Sequence, residues 1–352
     1  MRAGIAGRAA PIVEAAVGTL FTACVLLVER KGDRSIHAAG TLCPDAAAGP
    51  DAPCSAASLF DLGGLTALAT AALALACVRD RTVTLETPLR ELVPDFRGGW
   101  KDDVTVGHVL THTAGIAPDL RLRKDASSPD EAVWRAASEP LAESPGTLRP
   151  SELGPLLLGA GLERVLGMSL RDAVRERVAA QVEAPTLDFG PRPGPETAAT
   201  AHDTEWRLRR LRGEVLDENA ALLGGVAGHA GLFGSATDLA ALARVFAEGA
   251  VIGDALAARA RTEHARDGNV RRGLGVALRA PHAPMCGRSF SIDAWGLGAP
   301  AGASLWVDPA SDTRVVLLTN RAYHPVTSDE AFWRFRVAVH DAVGEGEREE
   351  GT

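Results

Sequence analysis

The chain of 352 residues predicts an α/β (α+β) fold: an antiparallel sheet assembled from both termini, flanked by helices, with an α-helical lobe inserted between them. Three observations carry this. Strand-like apolar runs sit at the two ends, "ACVLLVER" from Ala23 and "ASLWVD" with "TRVVLLTNR" from Ala303 and Thr313. The middle instead carries helical spacing of apolar residues. The composition, 46% hydrophobic and 23% charged, is that of a globular chain able to bury a large core.

Taken in order, Pro11–Leu20 reads as an amphipathic helix and Ala23–Glu29 as a buried strand. A Lys-Gly-Asp turn then leads to a second strand, which makes a hairpin. A Pro, Ala and Asp loop over residues 44–58 precedes "SLFDLGGLTALATAALALA", a Gly-Gly turn opening an Ala-rich helix over Thr66–Arg79. "VTLETPLRELVPDF" reads as a strand-like piece and a short helix stopped by Pro94. "VTVGHVLTHTAGI" reads as a helix closed by Gly115. Asp119–Ser144 is polar and partly helical, Leu153–Leu166 and Leu170–Val182 have helical spacing, and Thr186–Asp203 is a loop rich in Pro, Gly and Thr. A Gly-rich loop then runs into a helix from about Ala236. An Asp-Pro turn joins the last two strands, and Asp329–Val343 forms a terminal helix. We expect one domain, residues 1–345, of two lobes: an α/β lobe over 1–62 plus 270–345 and a helical lobe over 63–269. The acidic tail, 346–352, is expected to be disordered. No internal repeat stands out.

A net charge of −8 and the lack of a basic stripe with aromatics argue against a nucleic-acid partner. The apolar run over 15–28 is too short to span a bilayer, so no membrane span is expected. Five cysteines without a CxxC pair or Cys/His metal spacing read as reduced thiols in a cytoplasm, with Cys43–Cys54 as the one loop pair that could join. The weaker alternative is export or lipid anchoring through Phe21-Thr22-Ala23-Cys24, which faintly resembles a lipoprotein cleavage box. No cofactor or metal motif is present. His108 and His112 are spaced to share a helix face, but no Glu follows His108 and no third ligand is evident.

Four segments, in order, resemble the serine β-lactamase and penicillin-binding-protein superfamily, in particular its esterase-like class C branch. They are "SLFDLGGLT", "VTVGHVLTHTAGI", "LDENAALLGGVAGHAGLFGSATDLA" and "GASLWVDPASDTRVVLLTNR". The resemblance covers about residues 11–345 and implies a cleft between the sheet and the helical lobe. It also implies three catalytic elements, and each is altered here. Family members acylate the serine of a Ser-x-x-Lys motif, in which one helical turn sets the amine beside the hydroxyl. The resemblance places that serine at Gly64 and that lysine at Ala67, and no Ser-x-x-Lys occurs anywhere in the chain. The Tyr-x-Asn element falls on Pro150 and Glu152, and the one tyrosine, Tyr323, lies far away in sequence. The Lys/His-Thr-Gly element falls on Leu297, Gly298 and Ala299. Pro300 follows, where a backbone N–H would help form the oxyanion hole, and proline has none. Losing one such donor costs roughly 10² to 10³ in rate. His112 and His229 read as scaffold that fixes loops.

These changes predict a catalytically inactive relative with a binding or scaffolding role, its cleft open to a small peptide, a muropeptide, an acyl ligand or a protein partner. One alternative is an active esterase or peptidase with a relocated nucleophile, for which Thr66, Ser58 and Ser151 are the nearest hydroxyls. The other is a purely structural subunit.

Overall fold

The computed structural model describes residues 6–45, 48–323 and 328–344. The expected acidic tail, 346–352, lies outside them. The hairpin forms as read: β1 (Ala23–Arg30) and β2 (Asp33–Gly40) pair antiparallel across Lys31 and Gly32. Among the described residues, five short strands follow in the inserted region: β3 (Phe60–Asp61), β4 (Asp188–Phe189), β5 (Ala199–Asp203), β6 (Arg209–Arg212) and β7 (Leu232–Gly234). The chain then returns to the main sheet through β8 (Ala265–Asp267), β9 (Val270–Arg272), β10 (Ala277–Leu278), β11 (Trp295–Gly298), β12 (Ser304–Asp308) and β13 (Thr313–Thr319). The main sheet has the order β2-β1-β13-β12-β11-β10-β9-β8, with every pairing antiparallel. β1 and β13 are neighbours, so the strands from the two ends of the chain pair side by side near one edge of the sheet. The return to the sheet comes at Ala265, slightly before the expected residue 270.

β1 is an unbroken apolar run because both its faces are covered. Val25 and Leu27 join Leu305, Val307, Val316 and Leu318 against the helix Ala236–Ala247. Cys24, Leu26 and Val28 join Trp306, Val315 and Leu317 against the terminal helices Ala10–Ala16 and Asp329–Gly344. Alternation along each strand therefore feeds two cores. The helical lobe centres on Thr66–Arg79, which is buried nearly all round, and on Leu153–Leu166 packed against it.

Several local expectations are corrected. Thr82–Thr87 is turn, not strand. The helix at Val106 stops at Leu110, because His112 takes a left-handed φ of +56° that a helix cannot continue through. The stretch after Leu170 is α-helical only to Val174 and then widens and tightens in turn through Val182. Thr186–Asp203 is less of a loop than expected, since it contributes β4 and β5. All five cysteines are unpaired, Cys43 and Cys54 included. Among the described residues, no single helix is long and apolar enough to cross a membrane.

Candidate functional site

The Gly-Gly turn is built by its neighbours. β3 is held against β7, and the Asp61 carboxylate at its end accepts the N–H of Gly63 (2.8 Å) and of Leu216 (2.7 Å). Burial raises the Asp61 pKa to about 6, against the pull of those two N–H donors. Gly63 turns with φ +50°, a conformation that favours glycine. One short 3₁₀ turn, Gly63–Leu65, then feeds the helix Thr66–Arg79.

Gly64 and Ala67 open onto a cavity of about 450 Å³. Its opposite wall is Leu297, Gly298, Ala299 and Pro300, the end of β11 and the turn after it. Pro150, Ser151 and Glu152 form a third side, and His112 and His229 complete the lining. The structure thus brings every residue singled out in the cleft to one cavity, from five separate stretches of chain. The cavity is not plugged at Gly64: a Cβ there would find only the Ala299 Cβ, at 4.0 Å.

The hydroxyls near the cavity are occupied in the frame. Ser151 Oγ donates to the Ala117 carbonyl (2.6 Å) and accepts the Gly154 N–H (3.2 Å). Thr66 is buried off the cavity, and its Oγ1 accepts the Leu232 N–H (3.1 Å). Thr70 Oγ1 donates to the Gly228 carbonyl (2.8 Å), tying the site helix to the Gly-rich loop. Ser58 lies off the cavity and accepts the Ser55 N–H (2.9 Å). Lys101 is buried elsewhere on the Ala137 carbonyl, and Tyr323 packs beneath Arg210. Of these hydroxyls only Ser151 lines the main cavity, and it is committed at both ends.

The histidines have defined places. His108 does not share a helix face with His112. It closes a capping box with Thr105 instead, its Nδ1 accepting the Thr105 N–H (3.2 Å). His112 Nδ1 accepts the Ser151 N–H (3.2 Å), which holds the Pro150–Glu152 side in position. Burial, with help from Arg272, pushes the His112 pKa down to about 3, so the ring is neutral near pH 7. His229, 3% exposed, lies 2.9 Å through Nε2 from Asp217. Asp217 also caps the helix Glu218–Leu222 by accepting the Ala220 N–H (2.7 Å). Burial raises the Asp217 pKa, but the His229 hydrogen bond and charge outweigh it and leave the carboxyl below its usual range. Glu152 faces the cavity with its pKa raised, first by the packing around it and then by Asp217 and Asp119, against His229.

Sequence reading missed Arg272, at the end of β9, which lines the main cavity and a small apolar niche behind Ala67 and Leu297. Its Nε is buried without a partner, and its guanidinium has no hydrogen bond or ion pair among the described residues. "NVRRGLG" resembles any solvated turn, and only strand alternation separates the two arginines: Arg271 binds Glu263 and nearby carbonyls, while Arg272 reaches the cleft. Asp119 was likewise not singled out. The turn carrying Pro300 is clamped from behind by Arg336, which donates to the Ala299 carbonyl (3.0 Å) and is itself buried. Among the described residues no group of three or more His, Cys, Asp or Glu side chains could hold a metal ion.

The family model described as Beta-lactamase matches residues 14–338. The chain is 29% identical over 332 residues to Esterase EstB of Burkholderia gladioli, covering 81% of this chain and 82% of that one. Its fold matches EstCE1, a hydrolase with promiscuous acyltransferase activity, with a TM-score of 0.78 at 22% identity over 96% of this chain and 98% of that one. A class C β-lactamase from Rhodobacter sphaeroides superposes with a TM-score of 0.75 at 17% identity, over 97% and 99% of the two chains.

Proposed function

We propose that this chain, which belongs to the β-lactamase family, does not hydrolyse by its family's route and uses the family's cleft as a binding site. The observation that carries this reading is the open cavity of about 450 Å³ whose lining holds Gly64, Ala67, Leu297 and Pro300 where the reaction needs its serine, lysine, second cation and oxyanion N–H. Losing a nucleophile alone costs on the order of 10⁶ in rate. An open cavity favours binding over a purely structural role, since a scaffold gains nothing from leaving the serine position unfilled. The ligand classes this reading admits are a small peptide, a muropeptide or an acyl compound, with a protein partner as the alternative. Five unpaired thiols support a cytoplasmic location.

The second reading is an active esterase-type hydrolase, favoured by the likeness to Esterase EstB. Ser151 is its best hydroxyl, since it alone of the three nearest lines the cavity. That hydroxyl is already committed at both ends, and its neighbour His112 is neutral but accepts a backbone N–H on Nδ1. Turnover of nitrocefin and of short nitrophenyl esters decides between them. The binding reading expects no rate above buffer, and a rate abolished by Ser151→Ala would replace it with the second.

A further inference from the structure

The cleft carries unpaired charge of both signs at separate places. Arg272 lies at the inner end, against Ala67, Leu297 and His112. These neighbours give it no anion: two are apolar and the third is a neutral ring. Arg272 is half-buried with its Nε shut off from solvent, and a guanidinium is rarely left so without a carboxylate or carbonyl partner, because desolvating a charge is costly. The sequence resemblance puts cations at positions 67 and 297, and both positions are apolar here. The cavity's positive charge therefore rests on a side chain that stays protonated, which suits it to bind an anion and not to take a proton.

At the outer end, on the exposed rim, stand Asp119 and Glu152. Both line the main cavity and also a neighbouring acidic hollow of about 270 Å³ that includes Asp217. The Glu152 carboxylate, like Arg272, has no hydrogen bond or ion pair among the described residues. Asp119 accepts the Leu120 N–H (2.7 Å) and keeps its second oxygen uncommitted in the described contacts. Opposite charges face one cavity without reaching each other, and a ligand with complementary ends would satisfy both.

We propose that Arg272 is the anion-binding residue of this cleft, and that the ligand is a small zwitterion with its carboxylate on Arg272 and its ammonium at the Asp119–Glu152 end. The inference rests on the binding reading of the cleft and gives that reading its ligand chemistry. The guanidinium offers paired N–H donors in one plane, the geometry that a carboxylate accepts with two oxygens. The tight inner niche, lined by Thr70, Leu110 and Val276 beyond Arg272, leaves room for little more than the carboxylate end.

The test is calorimetric titration of the full chain with ω-amino acids of three to six carbons, with butyrate and with butylamine. At least one ω-amino acid is expected to bind about tenfold or more tightly than butyrate, the size of one charge-assisted contact. Arg272→Gln is expected to weaken the ω-amino acid and butyrate by a similar factor while leaving butylamine unchanged. Glu152→Gln is expected to remove only the advantage of the amino group. Arg272→Met adds a readout that a structural arginine would not give: it should melt above the wild type, since it relieves an unpaired buried charge, yet lose the carboxylate response. The proposal is overturned if no probe binds the wild type or if Arg272→Gln and Arg272→Met bind butyrate as the wild type does. Either result would leave the absence of hydrolysis standing, because ester turnover is measured separately.

Discussion

Two facing walls of the cleft, Gly64 and Ala67 against Leu297 and Pro300, offer backbone and small or apolar side chains. The remaining side carries Asp119, Glu152 and His229, with Asp217, bonded to His229, in the adjoining hollow; of these, Asp217 and His229 are tied into the frame. The family resemblance puts the reacting side chains on the first two walls, and the third side carries the titratable groups. Comparing them shows what keeps a cleft open. The third side is anchored by contacts that never needed a reacting group: Asp217 on a helix N-terminus, Thr70 on Gly228, Ser151 on His112. The cavity therefore keeps its shape with only Gly64 and Ala67 at the start of the site helix.

That contrast can be broken most strongly through His112, on the third side. Its pKa falls from about 6.5 in an unfolded chain to about 3 here, by burial first and by Arg272 second. A depressed imidazole pKa gives stability that is complete above pH 6.5 and lost as the pH falls towards 3, a span worth at most about 5 kcal/mol and less where cavity water screens the ring. Melting curves should show wild type losing stability between pH 6.5 and 4 more steeply than His112→Asn, and parallel curves would contradict the burial of the ring. Next comes Gly228→Ala. A Cβ there would sit 2.0 Å from the Pro155 carbonyl oxygen, so unfolding titrations should show a loss of about 3 kcal/mol. Asp217→Ala removes a helix cap and the His229 partner together, with an expected cost of about 2 kcal/mol in the same assay. The emptied wall should respond oppositely. Gly64→Ala meets only ordinary contact and should gain about 0.5 kcal/mol, and a clear loss would show that the glycine is structurally required.

The smallest expected effect is on activity. Gly64→Ser with Ala67→Lys should fold and still show no ester hydrolysis above buffer. Pro300 still offers no N–H, Leu297 no cation, and Arg272 beside position 67 would depress the new amine. Robust turnover would mean that the facing elements lie elsewhere than at Leu297–Pro300.

The parts of this molecule legible in the sequence are those where one local pattern dominates. Thr66–Arg79 forms as read because it is a run rich in Ala and Leu, strong helix formers, and Leu153–Leu166 because its apolar residues recur with helical spacing. The closing hairpin does because its two apolar runs flank an Asp-Pro turn. The strands β8 to β10 escaped notice because they are two or three residues long, with β8 and β9 mostly polar, and the sheet holds them rather than their own preference. The early end of the helix at Leu110 escaped for a similar reason: a left-handed histidine at 112 is fixed by its bond to Ser151, 39 positions away. That Gly64, Ala67, Pro150, Glu152, Leu297, Ala299 and Pro300 share one cavity could be expected because a recognisable frame surrounds each one. Arg272 was not, because its meaning depends on which of two adjacent arginines faces the cleft.

The central claim is that the cleft holds no group able to become acylated. Its most direct test is the intact mass of the full chain after incubation with a fluorophosphonate and, separately, with a labelled penicillin. The account predicts an unmodified mass with both reagents. A stoichiometric adduct mapped to any serine or threonine of the cleft would contradict it.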